Sequence, residues 1–451
     1  MHLFRHKHKG KKRYKGTKGH KGKKAKRQEA QRQKGRKAGG QTLPNRALKM
    51  RFIVTGGGTG GHIYPALAIA KGLREKYPQA EILYIGKDGG LEADLVPAEG
   101  FTFRPVRVRG LQRRLSLTNL VALWQAGTAF FHARRMISDF QPSAVIGTGG
   151  YVCGPVILAA VFLKVPALVH EQNALPGVTT RLLARLVKLT ALTFAGSGQH
   201  LPRQARFKVT GLPVRPEFSP GRREEARKAL GLPPEGFFIL SFGGSQGART
   251  LNRAMQEVIT RFRDRLDVRF LHVTGPAQYE EFCKGFPLPE NGNTTIKPYL
   301  YEMPLALSAA DLVICRAGAA TLAELTLTGT PAILAPYPYA AGNHQEYNAR
   351  ALAEEGAAIV IQDAELTGEV LANQIDKLLA EPGRLAAMAE ASRRLGRPRA
   401  LADILQCVEE LLEEQGTKAQ RPKGAKGLKG KSIRVSRGQG REGKKHKGTK
   451  A

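Results

Sequence analysis

Short apolar, β-branched runs recur along the chain, separated by longer segments of helical period. "RFIVTG", "EILYIG", "FTFRPV", "SAVIGTGG", "PALVHE", "LTALTFAG" and "RFKVTG" read as strands in the first half. "FFILSFGG", "VRFLHVTG", "TTIKPY", "DLVICRAG", "PAILAPY" and "AAIVIQ" do so in the second. The segments between them have helix length and amphipathic spacing. This alternation predicts an α/β protein with parallel sheets and helices on both faces. The halves look alike, each opening on a strand that runs into a glycine-rich loop. The proline-rich stretch "GLPVRPEFSP" (211–220) suits their junction, because proline disfavours regular structure. Ligands of such sheets bind beyond the C-terminal ends of the strands. Two domains of this kind facing each other enclose a cleft.

Three strand ends run into glycine. The first is "TGGGTGGHIYPA" (55–66), where five of the six residues from Gly56 to Gly61 are glycine. Side chains are absent where a backbone turns sharply or approaches a ligand closely. A strand, a glycine loop and a helix start together aim backbone N–H groups and a helix dipole at an anion, with a phosphate as the first reading. A tight turn without a ligand is the alternative. "GTGGYVCGP" (147–155) and "SFGGSQGARTLN" (241–252) repeat the logic. None ends in the G-K-[ST] of a P-loop, and "GGGTGG" departs from the dinucleotide fingerprint G-x-G-x-x-G.

Three further stretches carry polar groups to strand ends or helix starts. "VHEQNALPG" (169–177) places His170, Glu171, Gln172 and Asn173 together. Four polar groups there need partners; they pair with the loops or hydrogen-bond a sugar, and the sugar is the favoured reading. "CRAGAATLAEL" (315–325) puts Glu324 early in a helix, where a carboxylate can accept hydrogen bonds from both hydroxyls of a ribose. The alternative for Glu324 is an ordinary complement to the helix dipole. "AGNHQEYNAR" (341–350) clusters amides that donate and accept at once, which suits polyhydroxylated ligands.

Composition adds two tails to this picture. Of 451 residues with a formal charge of +35, residues 1–50 hold 19 Lys/Arg and one acidic residue, and residues 417–451 hold 13 and one. The middle is only mildly basic. Both tails have too few apolar residues to bury a core and are expected to be disordered, adhering to polyanions such as anionic lipid or nucleic acid. Met50 directly precedes the first strand and is an alternative start of translation. Cys153, Cys283, Cys315 and Cys407 form no C-x-x-C pair, which fits a reducing compartment without a disulfide framework. The longest apolar run, "VCGPVILAAVFL" (152–163), is too short to span a bilayer.

Taken together, GGTGGH, GTGGYVCGP, HEQN, GLPVR, GGSQGAR, RAGAATLAE and NHQEYNA occur in the order found in the MurG family, which the chain resembles over roughly residues 50–415. Leu212 stands where many relatives have Asn, and Gly342 where many have Asp. The resemblance implies the GT-B fold, two Rossmann-like domains facing a cleft, and transfer of N-acetylglucosamine from UDP-N-acetylglucosamine to lipid I, giving lipid II for peptidoglycan. It implies a tail over 1–49, an acceptor and membrane domain over 50–212, a UDP-sugar domain over 213–416 whose last helix packs back on the first, and a tail over 417–451. Carried onto matching positions, Glu324 binds the uridine ribose and Ser245 with its loop the diphosphate. Asn173, Arg215 and Gln345 contact the donor, and Leu300 meets the uracil through its backbone. Ala319, Ala320, Thr321, Leu322, Ala323 and Glu324 line the nucleotide pocket, while Thr59, Gly60 and Gly61 sit at the cleft near the sugar and the acceptor diphosphate.

Inverting transfer needs a base for the acceptor C4 hydroxyl and support for the leaving UDP. His62 is the candidate base, since an imidazole titrates near working pH; bracing the glycine loop is its alternative role. No D-x-D motif occurs, and neither a metal nor another cofactor is expected. The rival reading is another GT-B transferase acting on a membrane lipid. Specific nucleic-acid binding is not expected, because the tails lack aromatic interleaving. The expected location is the cytoplasmic side of the bacterial inner membrane, as a peripheral protein. The docking candidate is residues 107–137, where Leu117, Leu120, Leu123, Trp124, Phe130 and Phe131 recur near helical spacing. Arg107, Arg109, Arg113, Arg114, Arg134 and Arg135 flank them.

Overall fold

Every segment read above as a strand is a strand in the computed structural model, which describes residues 50–108, 117–284, 286 and 292–419, the first and last few of them (117–123 and 416–419) by backbone alone where they begin and end helices. The expectations for the tail over 1–49, for residues 420–451 and for Arg109, Arg113 and Arg114 fall outside the described residues.

The first sheet contains β1 (Arg51–Thr55), β2 (Glu81–Lys87), β3 (Thr102–Val106), β4 (Ala144–Gly147), β5 (Ala167–Glu171), β6 (Leu189–Leu192) and β7 (Phe207–Val209). Its helices are α1 (Gly60–Lys76), α2 (Glu92–Ala98), α3 (Leu117–Phe140), α4 (Cys153–Phe162) and α5 (Val178–Leu183). The second sheet contains β8 (Phe237–Phe242), β9 (Val268–Val273), β10 (Thr294–Lys297), β11 (Leu312–Cys315), β12 (Ala332–Leu334) and β13 (Ala358–Val360). With it run α6 (Arg223–Ala229), α7 (Arg249–Arg261), α8 (Tyr279–Cys283), α9 (Met303–Ala309), α10 (Ala319–Thr328), α11 (His344–Glu354), α12 (Gly368–Ala380), α13 (Pro382–Leu395) and α14 (Ala400–Ala419).

Strand order is β3-β2-β1-β4-β5-β6-β7 in one sheet and β10-β9-β8-β11-β12-β13 in the other, and the paired strands run parallel. Each order reverses direction once, between β1 and β4 and between β8 and β11. Such switch points open a crevice at the strand ends, because the flanking connections leave to opposite faces. Register brings the right loops together there: Thr55 lies opposite Gly147, and Phe242 opposite Cys315. The glycine loop after β1 thus emerges beside the one after β4, and the loop after β8 beside the turn before α10.

Alternate residues of each strand bury on opposite faces, as period-two geometry requires. Phe52 and Val54 join the cluster with α1, while Ile53 joins the cluster with α3 and α4. In β8, Phe238 and Leu240 face one side and Ile239 the other. Residues 210–222 contain neither helix nor strand. Helix α14 buries Ile404, Cys407, Val408 and Leu411 against the first sheet, packing on α1 where Gly72 leaves room for Leu401. Its outer edge pairs Glu409 with Lys76 at 2.8 Å and Glu410 with Lys208 at 2.5 Å. These pairs are more than a third exposed and add little beside the apolar contact. The helix continues through Ala419, three residues into the segment expected to be a tail.

Candidate functional site

The first wall is built at the switch point of the seven-stranded sheet. Gly57 is packed so closely on the buried carboxylate of Glu92 that no Cβ would fit. Glu92 Oε1 accepts the Lys87 amide at 2.9 Å and Oε2 the Gly58 amide at 3.4 Å, bracing the loop from behind. Thr59 is the N-cap of α1, and its carbonyl accepts the amides of His62 and Ile63. The amides of Gly60 and Gly61 fall in the first helical turn, where no intrahelical acceptor exists. Thr148 brackets His62: its hydroxyl donates to the His62 carbonyl at 2.7 Å, and its own carbonyl lies 2.9 Å from His62 Nδ1. Gln172 Oε1 is also 2.9 Å from that nitrogen. Gly149, at φ +101°, closes over the ring, and a Cβ there would sit 2.8 Å from Nδ1. Only glycine adopts that conformation and leaves that space.

The polar quartet at the end of β5 turns inward, which overturns the sugar reading for three of its members. His170, Glu171 and Gln172 are buried. Glu171 accepts the amides of Asn173 at 3.1 Å and Gly177 at 3.0 Å. Asn173 is half-buried; its Nδ2 donates to Glu171 at 3.3 Å and its Oδ1 accepts from Asn348 at 3.2 Å, leaving one amide hydrogen for a ligand.

The second wall is the switch point of the six-stranded sheet. Buried Arg316 pins the turn before α10 through Asp363 at 2.6 Å and the Ala335 carbonyl at 3.0 Å. Gln345 Oε1 accepts the amides of Ala317 at 3.1 Å and Tyr337 at 2.9 Å, which leaves its Nε2 as the group available to a ligand. From α10, Ala319, Ala320, Thr321 and Ala323 keep some exposure, whereas the Leu322 side chain is core. Leu300 is also core, in the same cluster, so only its backbone can meet a ligand. Burial pushes the Glu324 carboxyl up to about 7, against the opposing pull of Arg215. Glu324 accepts no hydrogen bond from the described residues through its carboxylate. Arg215 is exposed and lies over Phe218, 5.0 Å from the ring centroid. Ser245 is exposed in the loop between β8 and α7.

The walls meet at Asn348, fully buried on α11. Thr148, Glu92 and Asn348 were not singled out from sequence. Thr148 and Asn348 lie inside quoted motifs, but nothing in the pattern marks Glu92.

A second surface lies on the outer side of α3, α4 and α5. Trp124 is 70% exposed, Phe131 66% and Phe162 63%, with Leu158, Val178, Leu182 and Leu186 also exposed. Phe130 is turned inward and meets Phe131 and Phe162 edge-on. Arg134 lies over the Phe162 ring, and Arg135, Arg181 and Arg185 are exposed nearby in sequence. The side chains of Leu117, Leu120 and Leu123 are outside the described ones. No described helix is long and apolar enough to cross a membrane.

Comparison with known proteins follows the two-wall division. The Glycosyltransferase family 28 N-terminal domain model matches residues 52–192, and the Glycosyltransferase family 28 C-terminal domain model matches residues 238–404. A UDP-N-acetylglucosamine–N-acetylmuramyl-(pentapeptide) pyrophosphoryl-undecaprenol N-acetylglucosamine transferase from Desulforudis audaxviator is 52% identical over 80% of this chain and 98% of its own. The protein of the same name from Moorella thermoacetica is 50% identical over 81% and 100%. The crystal structure of Acinetobacter baumannii MurG superposes with a TM-score of 0.67 at 31% identity, covering 80% of this chain and 99% of that one. The calicheamicin glycosyltransferase CalG4, at 17% identity and a TM-score of 0.59 over 81% and 98%, shares the fold.

Proposed function

The chain belongs to the MurG family within glycosyltransferase family 28, and we propose that it transfers N-acetylglucosamine from UDP-N-acetylglucosamine to the C4 hydroxyl of the muramoyl sugar of lipid I, yielding lipid II. The observation that carries this reading is the likeness along nearly the full length of relatives bearing that activity in their names. The donor belongs on the second wall. The Glu324 carboxylate receives the ribose hydroxyls, and the Ser245 loop with the α7 N-terminus takes the diphosphate. Gln345 Nε2 and the remaining amide hydrogen of Asn173 turn toward the sugar, and Arg215 offsets charge on the departing UDP.

The acceptor diphosphate belongs against Thr59, Gly60 and Gly61. His62 Nε2 takes the proton of the C4 hydroxyl as its oxygen attacks the anomeric carbon. The bond from that carbon to the UDP oxygen breaks, and the electron pair leaves with UDP. One in-line displacement inverts the α-linked donor to a β linkage. The apolar face of Trp124, Phe131, Leu158 and Phe162, bordered by arginines, supports docking on an anionic cytoplasmic leaflet, where such an acceptor resides.

The test is transfer from labelled UDP-N-acetylglucosamine by the purified full-length chain to a lipid I analogue. A labelled disaccharide on the lipid diphosphate is expected. Labelling only of a glycolipid without the muramoyl diphosphate would move the reading to another membrane-lipid glycosyltransferase.

A further inference from the structure

A chain of hydrogen bonds runs from the connector between the domains to the ring of His62, and its polarity is determined at every link. At the far end, His170 Nε2 lies 2.9 Å from the Gly211 carbonyl. A carbonyl only accepts, so Nε2 carries the proton and His170 Nδ1 is left as an acceptor. The Gln172 amide nitrogen lies 3.0 Å from that Nδ1 and 3.0 Å from the His170 carbonyl, so its two hydrogens go to two acceptors. Flipping the amide would set two oxygens against each other at that distance. Gln172 Oε1 therefore faces His62 Nδ1, as does the Thr148 carbonyl. With two acceptors on it, Nδ1 holds the hydrogen.

From this we infer that Gln172, oriented by His170, is a positioning residue that, together with the Thr148 carbonyl, holds His62 in its Nδ1–H tautomer, steadies its imidazolium and keeps the Nε2 lone pair for the acceptor hydroxyl. The inference rests on the reading of His62 as the base. Its geometry gives two of the three buried polar side chains at the end of β5, His170 and Gln172, their partners within the protein. Gly211 anchors the chain at φ +84°, where Arg397 leaves no room for a Cβ, so the relay starts where the returning C-terminal segment meets the connector. Of the titratable groups, His170 on β5 interacts with the ring, and Glu171 lies beside His170. The Cys153 thiol at the start of α4 meets the Gly149 backbone that closes over the ring, and Glu92 acts on the glycine loop through Gly58. Burial holds the His170 imidazole below its ordinary range, in the neutral form that can donate at one nitrogen and accept at the other. Glu171 is occupied by backbone amides.

Two substitutions in the full chain push His62 in opposite directions. Gln172→Met removes the side-chain acceptor at similar volume, and Gln172→Glu replaces it with a charged one. Nitrogen-15 spectra of the histidine side chains, with the His62 signals assigned by their loss in His62→Asn, read the tautomer and titration midpoint directly. The expected result for Gln172→Met is a lower midpoint, because the imidazolium loses an acceptor while the Thr148 carbonyl still keeps the hydrogen on Nδ1, with kcat down about tenfold or more and donor KM little changed. For Gln172→Glu the midpoint and the acid limb of the kcat profile move up by about one pH unit, because the carboxylate favours the imidazolium. A Gln172 that merely supports the loop would lower thermal stability and activity in both variants without moving either midpoint, and that result overturns the inference. Midpoints that move while the acid limb of kcat stays fixed would leave the relay standing and remove His62 as the base.

Discussion

Asn348, on a helix of the second domain, accepts the amide of Ala174 in the first at 2.8 Å and donates to both Asn173 Oδ1 and the Ala317 carbonyl at 3.2 Å. One fully buried side chain thus ties the strand end beside the candidate base to the turn that opens the donor wall. Asn348→Ala leaves a buried amide and a buried carbonyl without partners, which costs about 1–3 kcal/mol. A lower unfolding temperature and weaker UDP binding by calorimetry are expected together. Asn348→Asp should be no better despite its shape, because a carboxylate oxygen then faces the oxygens of Ala317 and Asn173. Wild-type UDP affinity in both variants would show that the two walls are not coupled through this side chain.

Glu324 sets stability against binding. Its carboxyl holds a proton to about pH 7 in the folded chain, while in the unfolded chain it releases it near the ordinary value of 4.5. The folded state binds more protons across that interval, so this group's contribution to stability falls as pH rises from about 4.5 to 7 and is level above. Glu324→Gln removes the penalty. The variant should gain about 1–3 kcal/mol over the natural chain at pH 8 and little at pH 4.5. Donor binding should move the other way, with UDP-N-acetylglucosamine affinity lost by about 1–3 kcal/mol at pH 8. Urea melts and donor titrations at the two pH values check both signs, and equal stabilisation at both would refute the assignment of the raised carboxyl.

For His62 the expectation is a loss confined to turnover. His62→Ala should lower kcat by roughly 10²–10⁴-fold with donor affinity little changed. Because Thr148 and Gly149 close around the ring, His62→Gln serves as a second variant that fills the same space. Near-normal turnover in either folded variant would leave the ring only its bracing role.

The strands were legible because β-branched runs ended in glycine or proline, and the paired loops were legible as loops. Their partnership was not, since only the register of Thr55 with Gly147 and of Phe242 with Cys315 shows which loops share a crevice. Burial separates lookalike residues: Gln172 and Asn173 are neighbours, yet only Asn173 keeps a hydrogen for a ligand. Leu322 and Leu300 carry no pocket side chain, because the faces of α10 and of the β10 exit that hold them turn into the core. Glu92 acts on the glycine loop from 34 residues away, a distance that no local pattern spans. The apolar run at 152–163 read only as too short to span a bilayer; most of it is buried, while the period of α4 puts Leu158 and Phe162 outside, beside α3.

That outer face gives the last prediction, and the single tryptophan of the chain stands within it. The basic tails complicate any sedimentation assay, since their charge alone holds the chain on anionic vesicles at low salt. Trp124 reports contact of the face itself. Quenching of its fluorescence by brominated lipid in anionic vesicles is expected at both low and physiological salt, because insertion of Phe131, Phe162 and Trp124 adds apolar burial that salt does not screen. Replacing Phe131 and Phe162 together with Ser should abolish the quenching while the chain still sediments with vesicles at low salt. Replacing Arg134 and Arg135 with Ala should shift the quenching curve to higher vesicle concentration, by about 1 kcal/mol per arginine at most. If Trp124 stays unquenched in the natural chain while it sediments, the tails are the anchor and this face meets something other than lipid.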